Sequence, residues 1–556
     1  MKDFSSKNRA EIISNISSGS YDVLVIGGGI TGAGIALDAS TRGLKVALVD
    51  MQDFAGGTSS KSTKLIHGGL RYLKQLEFKL VAEVGKEREI VHRNAPHLTK
   101  PEPVLLPIVK NGSLGKFSAR IGMWVYEWLA GVKKEEWHKV LTKEQTLKLE
   151  SSLNASNLLG GILFYEYRTD DARLTIEVMK KAVETEATLL NYSKVNSFLY
   201  TNEKISGAVI EDQFTKQLVN INAKYVVNAT GPWVDELDVF DKTSLPNKLH
   251  ITKGIHLVID HKKLPVKQSM YFDTHDKRMI FVIPREGKTY VGTTDTFYHD
   301  DINNPTIEPS DRDYIIKCIN DFFPNCNIEL KDVESGWAGL RPLINKPGKG
   351  PSEISRKDEV FSYDSGLLTI SGGKLTGYRK MAQRITDIVA SRIKRDYGID
   401  LKQCSTERIN LSGGKINEVV NFKKLLEDLK KEGVLLNLTI SEVELLAHRY
   451  GANTFIIFEI IKKISEEERS DIPVILRAQL LYCIENEMCC TLCDFFIRRT
   501  GALYFDIELV RKYYKELAVY IQNILKLNDA EVKMQIDNLM IEIEKVNKIS
   551  SNLPYL

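Results

Sequence analysis

YDVLVIGGGITGAGIALDASTRGLKVALVD occupies residues 21–50 and decides the fold. An apolar run from Val23 to Ile26 predicts a buried strand, which three consecutive glycines at 27–29 interrupt. From Ile30 the apolar residues recur at helical spacing, and a second apolar run ends on Asp50. Strand, glycine turn, helix, strand and acid in this order are typical of a dinucleotide-binding βαβ unit.

Each part of this motif has a physical task. Gly27 allows the tight turn, Gly29 lets the backbone approach a pyrophosphate, and Gly32 lets the helix pack against the strand. Unpaired N–H groups at the start of the helix face the anion, and Asp50 follows at the spacing of an acid that binds a ribose hydroxyl. An ordinary α/β turn without a nucleotide is the alternative, but the flanking elements favour a dinucleotide of still open identity.

Length and composition exclude several classes of protein. The 556 residues suffice for two or three domains, and a net charge of +3 gives no global case for nucleic-acid binding. The first twenty residues are polar and lack the apolar core of a signal peptide, which favours a reducing, cytoplasmic setting.

A cluster of cysteines is a candidate metal or redox site. Four of them lie between 483 and 493, and Cys490 and Cys493 match a CxxC spacing. Because no histidine is near and no second CxxC exists in the sequence, we interpret them as small buried helix residues and expect no metal.

One segment suggests contact with a membrane. No apolar run reaches the ~18 residues that a spanning helix needs. The stretch 114–132, which contains Trp124 and Trp128 and precedes two lysines, has the aromatic and basic residues of a segment that lies on a bilayer. A buried amphipathic helix would show the same pattern, so both interpretations stay open.

Later glycine turns identify the dinucleotide. A hydroxyl-rich loop follows Asp50, and residues 192–199 and 204–211 alternate enough to predict a hairpin. A short strand predicted at 225–229 ends in Thr230-Gly231, and another precedes a glycine turn at 372–373. About 300 residues separate the two nucleotide-binding halves, whereas an NAD enzyme usually keeps its sheet contiguous, so we predict FAD. The predicted cofactor contacts are Gly27, Gly29, Gly32, Asp50, Thr58, Ser59, Ser60, Thr230, Gly231, Gly372, Gly373, Lys374, Leu375 and Thr376.

The predicted fold class is α/β plus a helical domain. It combines a two-dinucleotide-binding FAD fold, of the glutathione-reductase and amino-acid-oxidase type, with a mixed β-sheet substrate domain and an all-α C-terminal domain. The predicted FAD-binding domain is discontinuous, at 1–95, 165–245 and 361–397. The substrate domain takes 96–164 and 246–360, with strands throughout 250–360, and the helical domain takes 398–556.

Seven stretches of the chain resemble the FAD-dependent, aerobic and quinone-linked glycerol-3-phosphate dehydrogenase family. They are IGGGITGAGIALDASTRGLKVALVD, GGTSSKSTKLIHGGLRYL, NATGPW, GLRPL, ISRKDEV, SGGKLTGYRKMA and LCDFFIRRTG. The SSKSTKLIHGGLRYL and GGKLTGYRK stretches are specific, whereas many flavoproteins share the glycine motif.

The resemblance implies a reaction and its partners. sn-Glycerol 3-phosphate would be oxidised to dihydroxyacetone phosphate, with a hydride passing from C2 to flavin N5 and the electrons continuing to a membrane quinone. A cytoplasmic protein in peripheral contact with the inner face of the membrane would suit that acceptor. We also expect a homodimer, although the sequence does not determine the oligomeric state.

The resemblance also assigns the substrate residues, which are Arg71, Tyr72, Arg341, Arg356 and Lys374. Their chemistry agrees, because a phosphate dianion favours bidentate guanidinium donors, and cations beside the flavin stabilise its reduced ring. Removal of the C2 hydroxyl proton needs a base that is neutral near pH 7, for which we choose His67, and Arg341 is the second catalytic candidate. A structural histidine or a flavin contact is the alternative for His67, and a surface salt bridge is the alternative for Arg356.

Other functions stay open. A glycerol-3-phosphate oxidase shares these motifs but reduces O2 to H2O2. Such oxidases tend to carry an insertion before the last glycine turn, and no obvious insertion is present here, which favours the dehydrogenase. A flavin amine oxidase would need a carboxylate clamp, and a non-catalytic FAD-binding sensor or scaffold would not need the arginine cluster.

Overall fold

The computed structural model describes residues 2–68, 77–110, 112, 123–125, 127, 131–241, 243, 248–274, 276, 278–345, 358–414, 422–467 and 470–551. The strands found there are β1 Ser20–Ile26, β2 Val46–Val49, β3 Leu65–Ile66, β4 Lys100–Val109, β5 Lys139–Leu141, β6 Leu158–Arg168, β7 Thr188–Leu190, β8 Ser193–Thr201, β9 Lys204–Asp212, β10 Leu218–Asn228, β11 Leu249–Asp260, β12 Ser269–Asp273, β13 Met279–Arg285, β14 Lys288–Gly292, β15 Thr296–Phe297, β16 Val333–Ile344, β17 Glu359–Ser362 and β18 Leu368–Ser371.

The α-helices flank these strands and form the C-terminal part of the chain. They are α1 Arg9–Ser18, α2 Ile30–Thr41, α3 Phe78–Asn94, α4 Lys143–Leu149, α5 Asp171–Glu184, α6 Val234–Asp238, α7 Pro309–Phe322, α8 Tyr378–Tyr397, α9 Phe422–Leu435, α10 Ile440–Tyr450, α11 Thr454–Glu467, α12 Val474–Asn486, α13 Ala502–Phe505, α14 Ile507–Leu525 and α15 Asp529–Ile549. A π-helix, Asp494–Arg499, lies between α12 and α13.

The first sheet carries the nucleotide-binding motif. Its strand order is β17-β18-β10-β1-β2-β7, and β10, β1, β2, β7 and β18 run parallel. The hairpin β8–β9 extends it through an antiparallel pairing with β10. The nearly wholly buried α2 packs against both α5 and α8, and its small residues (ITGAGIALDAS) allow this close packing.

The second sheet is mixed. It follows the order β15-β11-β14-β13-β12-β4-β6-β3, with β16 on the other edge of β11 and β5 on β6. Most neighbours are antiparallel, whereas β12 and β4 are parallel. This is the sheet expected for the substrate domain.

The C-terminal helices α9–α15 pack onto the second sheet. Their apolar core includes Leu429, Phe458 and Phe495 and is continuous with Tyr290 and Trp337 of the sheet. The helical region is therefore a layer over the substrate sheet and not a free-standing bundle. Among the helices described, none combines the length and apolar character that crossing a bilayer demands.

Two elements differ from the sequence expectations. β10 begins at Leu218 and not near Tyr225, because its first half alternates buried and exposed residues where it pairs with β9, and only its second half is an apolar run. The strand-like region 250–360 contains α7, whose start is marked by Pro309 and by a capping box between Glu308 and Asp311.

The cysteines of the candidate CxxC are packed into the protein. Cys483 lies in α12, Cys489 and Cys490 are buried in the non-helical link after it, and Cys493 is half-buried. The interpretation as helix residues is thus wrong for two of the four. No cluster of metal-ligating side chains occurs among the described residues.

A buried ionic network joins the C-terminal helices to the loop that follows β2. Asp53 is 1% exposed and accepts hydrogen bonds from Arg498 Nε at 2.5 Å, Arg499 Nη1 at 2.8 Å and Asn191 Nδ2 at 3.0 Å. Burial alone would raise the pKa of Asp53, but Arg499 and Arg498 hold it below its ordinary value. The single π-turn brings two consecutive arginines to one carboxylate.

We expect Arg499→Leu to lower the free energy of unfolding by about 3–5 kcal/mol, because it leaves a buried carboxylate poorly compensated. Arg511→Leu, which removes the exposed pair with Glu508, should cost less than about 1 kcal/mol. Urea unfolding of both variants measures this difference, and equal losses would contradict the role assigned to Arg499.

Candidate functional site

A cavity of about 270 Å³ opens at the carboxyl ends of the parallel strands of the first sheet. Residues that follow β1, β2, β10 and β18 line it, together with the loop 56–59. This is where open α/β sheets bind their ligands, because the strand ends and the helix N-termini leave backbone groups available there.

The glycines of the motif act through close contacts. Gly27 has φ +109°, and a side chain on it would lie 2.5 Å from the carbonyl oxygen of Ala229. A Cβ on Gly32 would lie 1.9 Å from the carbonyl oxygen of Gly27, so only glycine allows α2 to approach the turn. Gly29 lines the cavity, and a Cβ there would face Ser59 Oγ at 3.2 Å.

Asp50 is fixed at the mouth of the motif by two backbone donors. Gly28 N donates to Oδ2 at 2.6 Å and Gln52 N donates to Oδ1 at 2.8 Å. Burial nevertheless raises the pKa of Asp50 to about 7. A donor from a bound ribose would favour the ionised form, so the carboxylate is suited to that partner.

The polar groups of the cavity suit a dinucleotide. Ser371 Oγ is buried and has no hydrogen-bond partner among the described residues, although Ser371 lines the cavity. Ser59 Oγ accepts a hydrogen bond from Ile30 N at 2.9 Å, which places a hydroxyl at the start of α2. An unpartnered hydroxyl, glycine backbone and a helix N-terminus fit the ribityl and pyrophosphate groups of FAD.

The second half of the site joins two distant motifs. His67 N donates to Thr376 Oγ1 at 3.1 Å, and the threonine hydroxyl lies 3.2 Å from the carbonyl oxygen of His67, across 309 positions of sequence. Lys374, two residues before Thr376, lines the FAD cavity. The half-buried His67 therefore lies beside the turn whose lysine lines the cavity.

Arg341 is held on β16 next to the same cavity. Its Nη2 donates to Thr293 Oγ1 at 2.8 Å, and its Nη1 lies 3.3 Å from Asp295 Oδ1. A Cβ on Gly254 would lie 2.1 Å from Nη2, so the guanidinium crosses the bare backbone of β11. The adjacent Pro342 lines the FAD cavity, and Thr58 Oγ1 donates to Leu340 O at 2.7 Å.

Comparison with known proteins gives two family matches and several close relatives. Residues 22–379 match a family described as FAD dependent oxidoreductase, and residues 404–532 match the C-terminal domain of alpha-glycerophosphate oxidase. The aerobic glycerol-3-phosphate dehydrogenase of Bacillus subtilis (strain 168) is 53% identical over 92% of both chains. That of Staphylococcus haemolyticus (strain JCSC1435) is 49% identical over 99% of both chains.

The solved structures agree with these matches. The glycerol-3-phosphate dehydrogenase from Bacillus halodurans, complexed with FAD, covers 100% of both chains with 42% identity and a TM-score of 0.86. The chain belongs to the FAD-dependent glycerol-3-phosphate dehydrogenase family. An L-alpha-glycerophosphate oxidase from Mycoplasma pneumoniae, 17% identical over 70% of this chain and 97% of its own, shares the fold with a TM-score of 0.56.

Family membership confirms the predicted fold class, the FAD cofactor and the class of enzyme, an FAD-dependent oxidoreductase. The domain limits and the individual site residues stay predictions. Most predicted cofactor residues of this dehydrogenase-family chain line the cavity: Gly27, Gly29, Asp50, Thr58, Ser59, Thr230, Gly231, Gly372, Gly373, Lys374 and Leu375.

Three predicted cofactor residues do not line the cavity. Gly32 lies behind it against Gly27, and Thr376 bonds to His67. Ser60 is buried, and its Oγ donates to the carbonyl oxygen of Gly57 at 3.4 Å.

Arg71, Tyr72 and Arg356, with Trp128 of the aromatic segment, lie outside the described residues. Trp124 is 56% exposed.

Sequence reasoning missed the carboxylates that hold the site. Glu166 Oε2 accepts a hydrogen bond at 3.3 Å from the backbone N of Gly68, the residue that follows His67. The same oxygen accepts from Arg88 Nη1 at 3.1 Å. Burial raises the pKa of Glu166, against the opposing charges of Arg88 and Lys374. Asp171 accepts from Lys64 Nζ at 2.6 Å and so anchors the hydroxyl-rich loop. No local pattern marks either acid, because their partners are far away in sequence.

We expect the affinity of the apoprotein for FAD to rise as the pH increases from about 5 to 7 and then to level off. The carboxyl of Asp50 has a pKa of about 7 in place of 3.8, and it must lose its proton to accept a hydrogen bond from the ribose hydroxyl. The affinity for FAD should therefore rise by up to about tenfold per pH unit. Fluorescence titration of apoprotein with FAD measures the slope.

Asp50→Asn is the control for this pH dependence. The amide does not titrate, so the variant should bind FAD more weakly at pH 8 and show a flat profile between pH 5 and 7. An unchanged slope in Asp50→Asn would assign the titration to another group.

Proposed function

We propose that the protein oxidises sn-glycerol 3-phosphate to dihydroxyacetone phosphate. Bound FAD supplies the acceptor for the hydride, its N5 atom, to which the hydrogen on C2 of the substrate is transferred. The relatives named as aerobic glycerol-3-phosphate dehydrogenases support this assignment over nearly the full chain. The pairing of His67 with Thr376 beside the Lys374 turn is the observation that carries it, because it gathers a base, a cation and the cofactor cavity.

The side chains divide the remaining work. His67 takes the proton from the C2 hydroxyl while the hydride leaves the same carbon, so that alcohol becomes ketone without a charged alkoxide. The backbone of His67 is hydrogen-bonded to Thr376, and the next residue, Gly68, donates to Glu166. These contacts fix the backbone from which the imidazole projects. Arg341 and Lys374, with Arg71, Tyr72 and Arg356, bind the phosphate dianion and compensate negative charge that develops at the cofactor.

The electrons pass on to a membrane quinone in this proposal. Peripheral attachment to the inner face of the cytoplasmic membrane would bring the protein to its acceptor, and the exposed Trp124 in the aromatic segment supports such attachment. We also propose a homodimer. The alternative electron acceptor is O2. It is favoured by the C-terminal family match, which is described as a domain of alpha-glycerophosphate oxidase.

Anaerobic addition of glycerol 3-phosphate should bleach the FAD absorbance of the holoprotein, because the bound cofactor takes up the hydride. Glycerol and phosphate alone should leave it oxidised, since neither fills both the hydroxyl and the phosphate positions. In steady state, a quinone analogue should be reduced with little H2O2. A cofactor that stays oxidised would contradict the function, and stoichiometric H2O2 without quinone reduction would assign the oxidase activity.

We expect His67→Asn to slow FAD reduction in single-turnover mixing by about 100-fold or more, because the variant lacks the base. Substrate affinity should change little. His299→Asn, which alters an exposed histidine of the second sheet region, is the matched control and should reduce at the normal rate. Normal reduction by His67→Asn would remove it as the base.

Arg341→Ala should lower kcat/KM for glycerol 3-phosphate by about 10- to 100-fold, since a charge-assisted hydrogen bond to phosphate contributes about 1.5–3 kcal/mol. The control Arg278→Ala removes an exposed pair with Asp276 near the same sheet and should keep kcat/KM. Steady-state kinetics decide, and an unchanged value for Arg341→Ala would exclude its contact with the phosphate.

A further inference from the structure

A second large cavity lies where α5 and the second sheet meet the C-terminal helices. It has a volume of about 530 Å³, and we call it the junction cleft. It is lined from the sheet side by Arg168 and Arg285 and from the helix side by His448 and Arg449. None of its lining residues lines the FAD cavity, so it is a separate feature.

Arg285 presents an unused donor in this cleft. The residue is 8% exposed, its Nη2 donates to Asp170 Oδ2 at 2.9 Å, and its guanidinium stacks 4.3 Å over the ring of Phe505. Its Nη1 is buried and has no hydrogen-bond partner in the part of the chain that the structure describes. A buried guanidinium N–H without an acceptor is costly, which indicates a missing anionic or polar partner.

His97, which also lines the cleft, repeats this pattern. It is 2% exposed, and both ring nitrogens lack a partner among the described residues. Burial lowers the pKa of His97 to about 3, so the ring is neutral and has one N–H to donate. Two unpartnered and nearly fully buried donors thus line one cleft.

The charge of the cleft favours an anion. Arg449 donates to two neutral acceptors, Gln479 Oε1 at 2.7 Å and Thr500 O at 2.8 Å, so no carboxylate compensates it by direct contact among the described residues. Burial alone would raise the pKa of Glu286, yet Arg285, Arg449 and Arg168 hold it below its ordinary value.

The acids of the walls are already engaged. Glu444 pairs with Lys430 at 2.5 Å, and Asp506 accepts from Leu509 N at the start of α14. Asp170 accepts from Arg285 Nη2, and Glu286 pairs with Arg285 Nε at 3.3 Å. Among the described residues, the groups of the cleft that lack a partner include two hydrogen-bond donors, Arg285 Nη1 and the His97 N–H.

We propose that the junction cleft binds a small phosphate dianion, either free phosphate or a phosphate monoester. Arg285 Nη1 and the His97 N–H donate to its oxygens, and Arg449 supplies the compensating charge from the helical side. Because these groups come from the sheet and from the C-terminal helices, the bound anion links the two layers. The site is distinct from the substrate phosphate site around Arg341 and Lys374.

Isothermal titration of the holoprotein with inorganic phosphate, at constant ionic strength, tests the site. We expect two binding events per chain, one of which Arg341→Ala removes. In the Arg341→Ala background, Arg449→Gln should weaken the remaining binding by about tenfold or more, and Lys431→Gln, an exposed lysine outside the cleft, should leave it unchanged.

A variant expected to bind phosphate more tightly distinguishes a specific site from loss of binding through misfolding. Glu286→Gln removes a negative charge from the cleft and should tighten phosphate binding in the same background. Parallel titration with glycerol 2-phosphate identifies the source, since tighter binding of this ester than of inorganic phosphate indicates a monoester ligand. If no phosphate binds to Arg341→Ala, or if Arg449→Gln and Glu286→Gln both leave its binding unchanged, the proposal is wrong.

Discussion

The carboxylate of Asp53 is the point on which the cofactor site depends. It lies in the loop whose other side lines the FAD cavity, and it is held by Arg498, Arg499 and Asn191. A buried carboxylate survives only if donors of fixed geometry compensate it. The C-terminal helices supply that compensation, so a region without a nucleotide motif determines where the nucleotide loop lies.

The rest of the site follows the same rule of distant partners on rigid supports. Parallel strand ends position the glycine turns, Lys64 and Asp171 anchor the hydroxyl-rich loop, and one threonine joins His67 to the last glycine turn. The two side-chain contacts join segments that are 107 and 309 residues apart in sequence. The scaffold therefore fixes these groups before any substrate binds, as the proposed proton and hydride transfer would require.

Much of this arrangement could be predicted from the sequence, and the failures have a common cause. Hydrophobic periodicity and glycine turns are local signals, so β1, α2, β2 and the β8–β9 hairpin appeared where they were expected. The first half of β10 and the helix α7 were missed because polar, half-exposed elements carry weak apolar patterns. Glu166, Asp171 and Asp53 were missed because a buried acid is identified by its partner, and the nearest of these partners in sequence, Arg88 for Glu166, is still 78 residues away.

The Asp53 contact also bears on how the protein is made. A ribosome releases the loop after β2 more than 400 residues before it releases Arg498 and Arg499. Until those arginines emerge, the nascent loop carries an uncompensated acid and stays hydrated. Since chains of this size fold by domains and non-local contacts form late, we expect cofactor loading to follow the docking of the helices that carry Arg498 and Arg499.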